Sequence, residues 1–203
     1  MDREIRLLAN NLELREVGDE KEVHLQGYAL TFDTISEDLG FRETIRKGAL
    51  DGTDISNVVL NFNHDMNKPL ARNSKSTGKG SLTLKVDEKG LFFDAIPTDT
   101  SYSRDLLENM KEGLIGKCSF AFSLDYNDSE AQTWDWDDGT RGYDFRTINK
   151  INRLYDVSIV TNPAYESTSC TSYTRAKEVA NEELRQAKEL EEIELLKIEL
   201  ELI

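Results

Sequence analysis

Apolar and polar residues alternate in short runs along most of this chain. From Arg3 to Ala9, Glu22 to Phe32, Asn57 to Phe62, Ser81 to Val86 and Leu91 to Ile96, β-branched and aromatic residues recur in segments broken by Gly, Asn and Asp. Such spacing predicts a compact antiparallel sheet or barrel. Asp87-Glu88-Lys89-Gly90 joins two of the runs as a hairpin connection, with Gly90 free to take positive φ. The period then lengthens. Asp99, Thr100 and Ser101 are good N-cap residues, and Leu106, Leu107, Met110 and Leu114 follow at helical spacing, with Gly113 and Gly116 as the stop. Alternation resumes from Cys118 to Tyr126 and returns at Tyr143 to Ile148 and Leu154 to Thr161. Between them, Asn127 to Gly142 reads as a polar, acidic loop carrying Trp134 and Trp136.

Beyond Arg175 the chain is rich in helix formers and free of Gly and Pro. Ala180, Leu184, Ala187, Leu190, Ile193 and Leu196 follow steps of three and four, which makes one apolar stripe on a charged amphipathic helix. That stripe suits packing on its own domain or on a second copy; an arm for other partners is the alternative. The last residues, Ile198 to Ile203, alternate and suit fraying or strand pairing. The organisation expected is one domain over residues 1–175 and an acidic helical extension over 176–203.

Length and charge narrow the function. The 203 residues suffice for one full hydrophobic core plus an appendage. A net charge of −14 repels phosphate backbones, and no Lys/Arg cluster with interleaved aromatics makes a local exception, so nucleic acid is not expected as a partner. The N-terminus lacks the apolar stretch of a signal peptide, and no window matches a membrane span; a cytosolic protein without membrane contact is expected. Cys118 and Cys170 form no disulfide framework, and neither has a second Cys or a His at metal-ligand spacing.

Three distant segments carry candidate chemistry: Asn63-His64-Asp65, Gly116 to Phe122 around Ser119, and Leu154 to Tyr165 around Asp156. A serine hydroxyl needs a base, and histidine, titrating near ~6.5, is the usual one. Of the two histidines, His24 alternates with Val23 and Leu25 on a strand and reads as structural. His64 ends the run Val58 to Phe62, at a strand-loop rim where catalytic groups tend to sit. Alternation puts Ser119 and Ala121 on one face, with Cys118, Phe120 and Phe122 on the other. Asp156 shares a face with Ser158 in an otherwise apolar strand, where an acid must be paired. It can orient a histidine, or form a salt bridge to an arginine such as Arg153 or Arg72. Asp65 neighbours His64 on extended backbone and points away from it, while Asp144 is a rival acid. Together these residues point to a serine hydrolase.

In their order and combination, the segments resemble the prohead proteases of tailed bacteriophages, serine peptidases that mature the capsid shell. The resemblance runs from about Val23 to Arg175. It takes in Gly27-Tyr28-Ala29, Phe41 to Ile45, Gly48-Ala49-Leu50, Asn63-His64-Asp65, Leu70-Ala71-Arg72, Gly113-Leu114, Ser119 to Phe122, Asp156 to Thr161 and Pro163-Ala164-Tyr165.

The resemblance implies a β-rich α+β fold similar to the herpesvirus assembly proteases: a closed antiparallel β-barrel of about seven strands flanked by helices. It also implies His64 and Ser119 as a catalytic pair on neighbouring strands, Asp156 as the third member, Arg153 as a candidate oxyanion donor, and no metal or cofactor. The family more often carries Glu at the position of Asp156 and Gly at that of Ala71, and the loop from Asn127 to Gly142 is long for it. Implied substrates are the scaffolding segment of the major capsid protein and the protease itself, cut by a homo-oligomer inside the procapsid in the host bacterial cytoplasm. The acidic helix is then an assembly element, open to removal by self-cleavage. Two alternatives stand beside this: an inactive structural or scaffolding subunit of the procapsid, and a cysteine peptidase acting through Cys118.

Overall fold

The computed structural model describes residues 3–8, 12–17, 22–161 and Arg185. Apart from Arg185, the expected acidic extension lies outside the described residues. Twelve strands and, among the described residues, one helix follow in chain order: β1 (Glu4–Leu8), β2 (Glu13–Val17), β3 (Glu22–Thr31), β4 (Arg42–Ile45), β5 (Val59–Phe62), β6 (Asp65–Arg72), β7 (Ser81–Val86), β8 (Gly90–Ile96), α1 (Ser101–Lys111), β9 (Lys117–Ser123), β10 (Gln132–Asp135), β11 (Phe145–Ile148) and β12 (Arg153–Val160).

Nine strands form one sheet in the order β1-β9-β12-β5-β6-β7-β8-β3-β2, and β10-β11-β4 form a second. The large sheet curls, bringing β3 near one end against β9 near the other. Across the seam the Leu12 amide donates to the Gly116 carbonyl at 3.3 Å. Among the described residues, strands β1 and β2 nevertheless remain the unjoined ends of the sheet, so the closed barrel is corrected to an open, curled half-barrel. Nor is it wholly antiparallel: β12 runs parallel to β5, β6 to β7, and β11 to β4.

The predicted hairpin through Asp87 to Gly90 joins β7 and β8. Gly90 is needed because a Cβ there would collide with the Leu30 carbonyl. The predicted helix is α1; Thr100 takes its N-cap position without a side-chain cap, and Gly113, at φ 72°, turns the chain out of it. The acidic loop is corrected in part, since it contains β10. Trp134 stacks on Trp136 and packs against Phe41 at centroid distances of 5.1 and 5.0 Å.

Alternation on β9 sends Cys118, Phe120 and Phe122 to the inner face, where they meet Leu154, Val157 and Ile159 of β12 in the core. Each buried phenylalanine contributes roughly 2–3 kcal/mol. Ser119, Ala121 and Ser123 occupy the opposite face and are buried as well.

Candidate active site

Three devices of local structure aim the polar groups at one point. The first is the two-residue turn Asn63-His64 between β5 and β6, closed by the pair Phe62 and Asp65. Asn63 and His64 both have positive φ, 52° and 55°, as a type I′ hairpin turn requires. A left-handed His costs about 1–2 kcal/mol, and β12 holds the turn in place. The Asn63 amide donates to the Ile159 carbonyl at 2.9 Å, the Thr161 amide to Asn63 Oδ1 at 3.1 Å, and the His64 amide to Ser158 Oγ at 3.1 Å.

The second device is a bulge in β12 between Leu154 and Asp156. Strict alternation would put these two residues on one face. With Tyr155 as the extra residue, Leu154 pairs with Phe122 and enters the core, while Asp156 pairs with Ala121 and joins the face of Ser119. The third is the register that sets Ser158 directly opposite Ser119.

The resulting chain of hydrogen bonds is continuous. His64 Nε2 lies 2.6 Å from Ser119 Oγ, and His64 Nδ1 lies 2.6 Å from Asp156 Oδ1. Ser158 Oγ also donates to Asp156 Oδ1, at 3.2 Å, while Asp156 Oδ2 pairs with the Arg3 guanidinium. Burial, reinforced by the Arg3 charge, pushes the His64 pKa down to about 4. With Asp156 already neutralised by Arg3, the imidazole stays neutral at pH 7. Its Nδ1–H can then donate to the carboxylate, leaving Nε2 free to accept the serine proton. That is the arrangement needed for nucleophilic attack by a hydroxyl.

His64, Ser119 and Asp156 are therefore brought together, although His64 and Ser119 are not on neighbouring strands; β12 stands between β9 and β5 and supplies the acid. Arg153 is not brought in. It lies opposite Ser123, four residues or about 13 Å along the strand from Ser119, with its Nε 3.5 Å from Asp54. Arg72 donates to Asn57, so Arg3 replaces both as the arginine partner of Asp156. Asp65 accepts from Asn67, Asp144 from the Asp137 amide, and His24 bonds Asp94 at 2.8 Å, all away from the site. The Cys118 thiol is fully buried on the inner face, where desolvation pushes its pKa up to about 12, which disfavours a thiolate nucleophile. The sequence pattern missed Arg3 and gave Ser158 no role. A buried hydroxyl two residues from a buried acid was the available signal for Ser158; nothing local marks Arg3.

Residues 10–185 match the family model of the Caudovirus prohead serine protease. A search of curated proteins found no match. The capsid assembly protease of bacteriophage T4 shares the fold with a TM-score of 0.50 at 13% identity, covering 79% of this chain and 98% of that one. With the family model spanning most of its length, the chain belongs to the Caudovirus prohead serine proteases and is a serine endopeptidase of capsid maturation.

Proposed function

We propose that Ser119 is the nucleophile, His64 the general base and Asp156 the residue that orients and stabilises the imidazolium. The observation carrying this assignment is the unbroken chain Ser119 to His64 to Asp156, with both contacts at 2.6 Å. In the acylation step the Ser119 proton passes to His64 Nε2 as Oγ bonds to the scissile carbonyl carbon. The same proton then goes to the departing amine, and water repeats the cycle on the acyl-enzyme. Hydroxyl, imidazole and carboxylate suffice for this chemistry, so the proposal includes no metal or cofactor.

The substrates we assign are the scaffolding segment of the major capsid protein and the protease itself, cut within the assembling procapsid in the host cytoplasm by a homo-oligomeric enzyme. Family membership supports the capsid-precursor assignment. Residues 1–175 are assigned to the protease domain and 176–203 to an acidic helical extension acting in assembly. An inactive scaffolding subunit is disfavoured by membership of a serine protease family together with the intact chain Ser119 to His64 to Asp156.

Co-expression with the capsid precursor tests the assignment. The wild-type chain cleaves the precursor, whereas Ser119→Ala and His64→Ala leave it intact while keeping the far-UV spectrum and melting temperature of the wild type. Equal cleavage by Ser119→Ala and wild type would refute it.

A further inference from the structure

Ser119, Ser158 and Asn61 stand side by side on three neighbouring strands, since Ser119 of β9 pairs with Ser158 of β12, and Ser158 pairs with Asn61 of β5. Laterally paired residues point to the same side of a sheet, so Asn61 shares the outer face with the nucleophile. Two of the three side chains are satisfied. Ser119 bonds His64, and Ser158 donates to Asp156 while accepting from the His64 amide. Asn61 is not. It is wholly buried, its Oδ1 has no partner among the described residues, and its Nδ2 donates only to the Met66 sulfur, at 3.3 Å.

A buried carbonyl without a donor is costly to keep. Turning the amide over does not repair it, because a thioether accepts weakly and donates nothing. What the position lacks is a group with an N–H for one end of the amide and a better acceptor than sulfur for the other. An extended peptide residue, with its N–H and C=O on one side, has both, and so does a side-chain carboxamide.

The cover over Asn61 is free to move. Asn61 pairs with Pro69 and Phe62 with Asp65, so Met66, Asn67 and Lys68 bow out of the ladder, and all three are exposed. Met66 is 52% exposed and has an unbranched, flexible side chain. Its rotation releases Nδ2 and opens the amide to the catalytic face. Two strand spacings separate Asn61 from Ser119, about 10 Å, which an extended chain spans in about three residues.

We propose that Asn61, covered by Met66, is a substrate subsite that takes an amide group of an extended peptide about three residues from the scissile bond. The proposal rests on the protease assignment above. It is tested with a decapeptide spanning the precursor bond mapped in the co-expression experiment, cleaved by the full chain. Single N-methylations of the backbone and single Gln substitutions are placed at each of the four positions on either side of that bond.

In the wild type, one N-methylation is expected to lower kcat/KM at least tenfold if the main chain docks, or one Gln to raise it at least tenfold if a side chain does. Asn61→Leu should abolish that dependence, with the change carried by KM. An equal fall for every peptide in Asn61→Leu would make Asn61 a packing residue and overturn the subsite, leaving the protease assignment in place. No dependence on either modification in the wild type would overturn it as well. Should Asn61→Leu misfold, Met66→Ala at its exposed position decides. It is expected to raise kcat/KM at least threefold for the docking peptide and not for its N-methylated or Gln-free counterpart, and the same ratio between the two as in wild type would overturn the subsite. Precursor left uncut by the wild type, or cut equally by Ser119→Ala, defeats the protease assignment and takes the inference with it.

Discussion

Two buried polar clusters lie back to back on the β1–β9 ladder. The inner one comprises Glu4, Arg6, Glu43 and Arg146, with Gln132 and Tyr126 completing its hydrogen bonds. The outer one comprises Ser119, His64, Asp156 and Ser158. They occupy opposite faces because Glu4 and Arg6 pair with Phe122 and Phe120, whereas Asp156 and Ser158 pair with Ala121 and Ser119.

In the inner cluster two carboxylates answer two guanidiniums. Against the opposing effect of desolvation, Arg146 and Arg6 hold the Glu4 carboxyl far below the usual carboxylate range, and Glu4 and Glu43 hold Arg146 above its usual value. The charged forms of Glu4 and Arg146 are both favoured there. In the outer cluster a neutral imidazole bridges a hydroxyl and a carboxylate, and the proton has two places to go. Full ionic pairing immobilises charge and joins the two sheets, while one neutral, titratable ring between partners leaves a proton free for chemistry.

The contrast breaks most sharply at Asp156. Asp156→Asn removes the acceptor that sets the His64 tautomer, and kcat is expected to fall by about 10⁴-fold with little change in melting temperature, in a peptide-cleavage assay run beside thermal melts. Arg146→Met should do the opposite. It strands Glu4 and Glu43 with a single guanidinium, costing about 3–5 kcal/mol, read as a lowered denaturation midpoint, with the chemical step spared in molecules that remain folded. Ser158→Ala sits between the two, since it loses one bond to Asp156 and one to the His64 amide. About 1–3 kcal/mol is expected to divide between kcat/KM and stability.

The smallest effect is on pH dependence. The base works only when neutral, so kcat/KM should rise with pH through the His64 pKa near 4 and level off above it. Arg3→Gln removes a positive charge that depresses this pKa, and it also frees the Asp156 carboxylate to favour the imidazolium. The acid limb of the pH profile should therefore move to higher pH. The same depressed pKa makes stability rise with pH between about 4 and the unfolded value near 6.5, because the unfolded chain binds the proton there and the folded one does not. A flat stability curve across that window would contradict the burial of His64.

Strands with clean alternation were legible from the residues: β3, β7, β8, β9 and β12 fall where the pattern put them. The strands β2, β4, β6 and β10 were not. In β4 the reason is physical, since Glu43 is buried yet charged, and its partners Arg6 and Arg146 are 37 and 103 residues away. A local pattern scores such a residue as surface. The edge strands β1 and β2 show how little alternation says about which end of a sheet a segment occupies.

The kinds of residue were determined by the sequence alone: a histidine where an apolar run meets a loop, a serine beside a phenylalanine in an alternating strand, and an acid in an apolar strand, in an order that resembles one family. The tertiary structure decided which of them meet. The Tyr155 bulge moves Asp156 to the catalytic face, β12 inserts between the strands of Ser119 and His64, and β1 brings Arg3 and the Arg6 carbonyl to groups more than a hundred residues away. Side-chain direction on a strand is defined only relative to its register with a neighbour, and that register is settled by long-range pairing and burial that no local window contains.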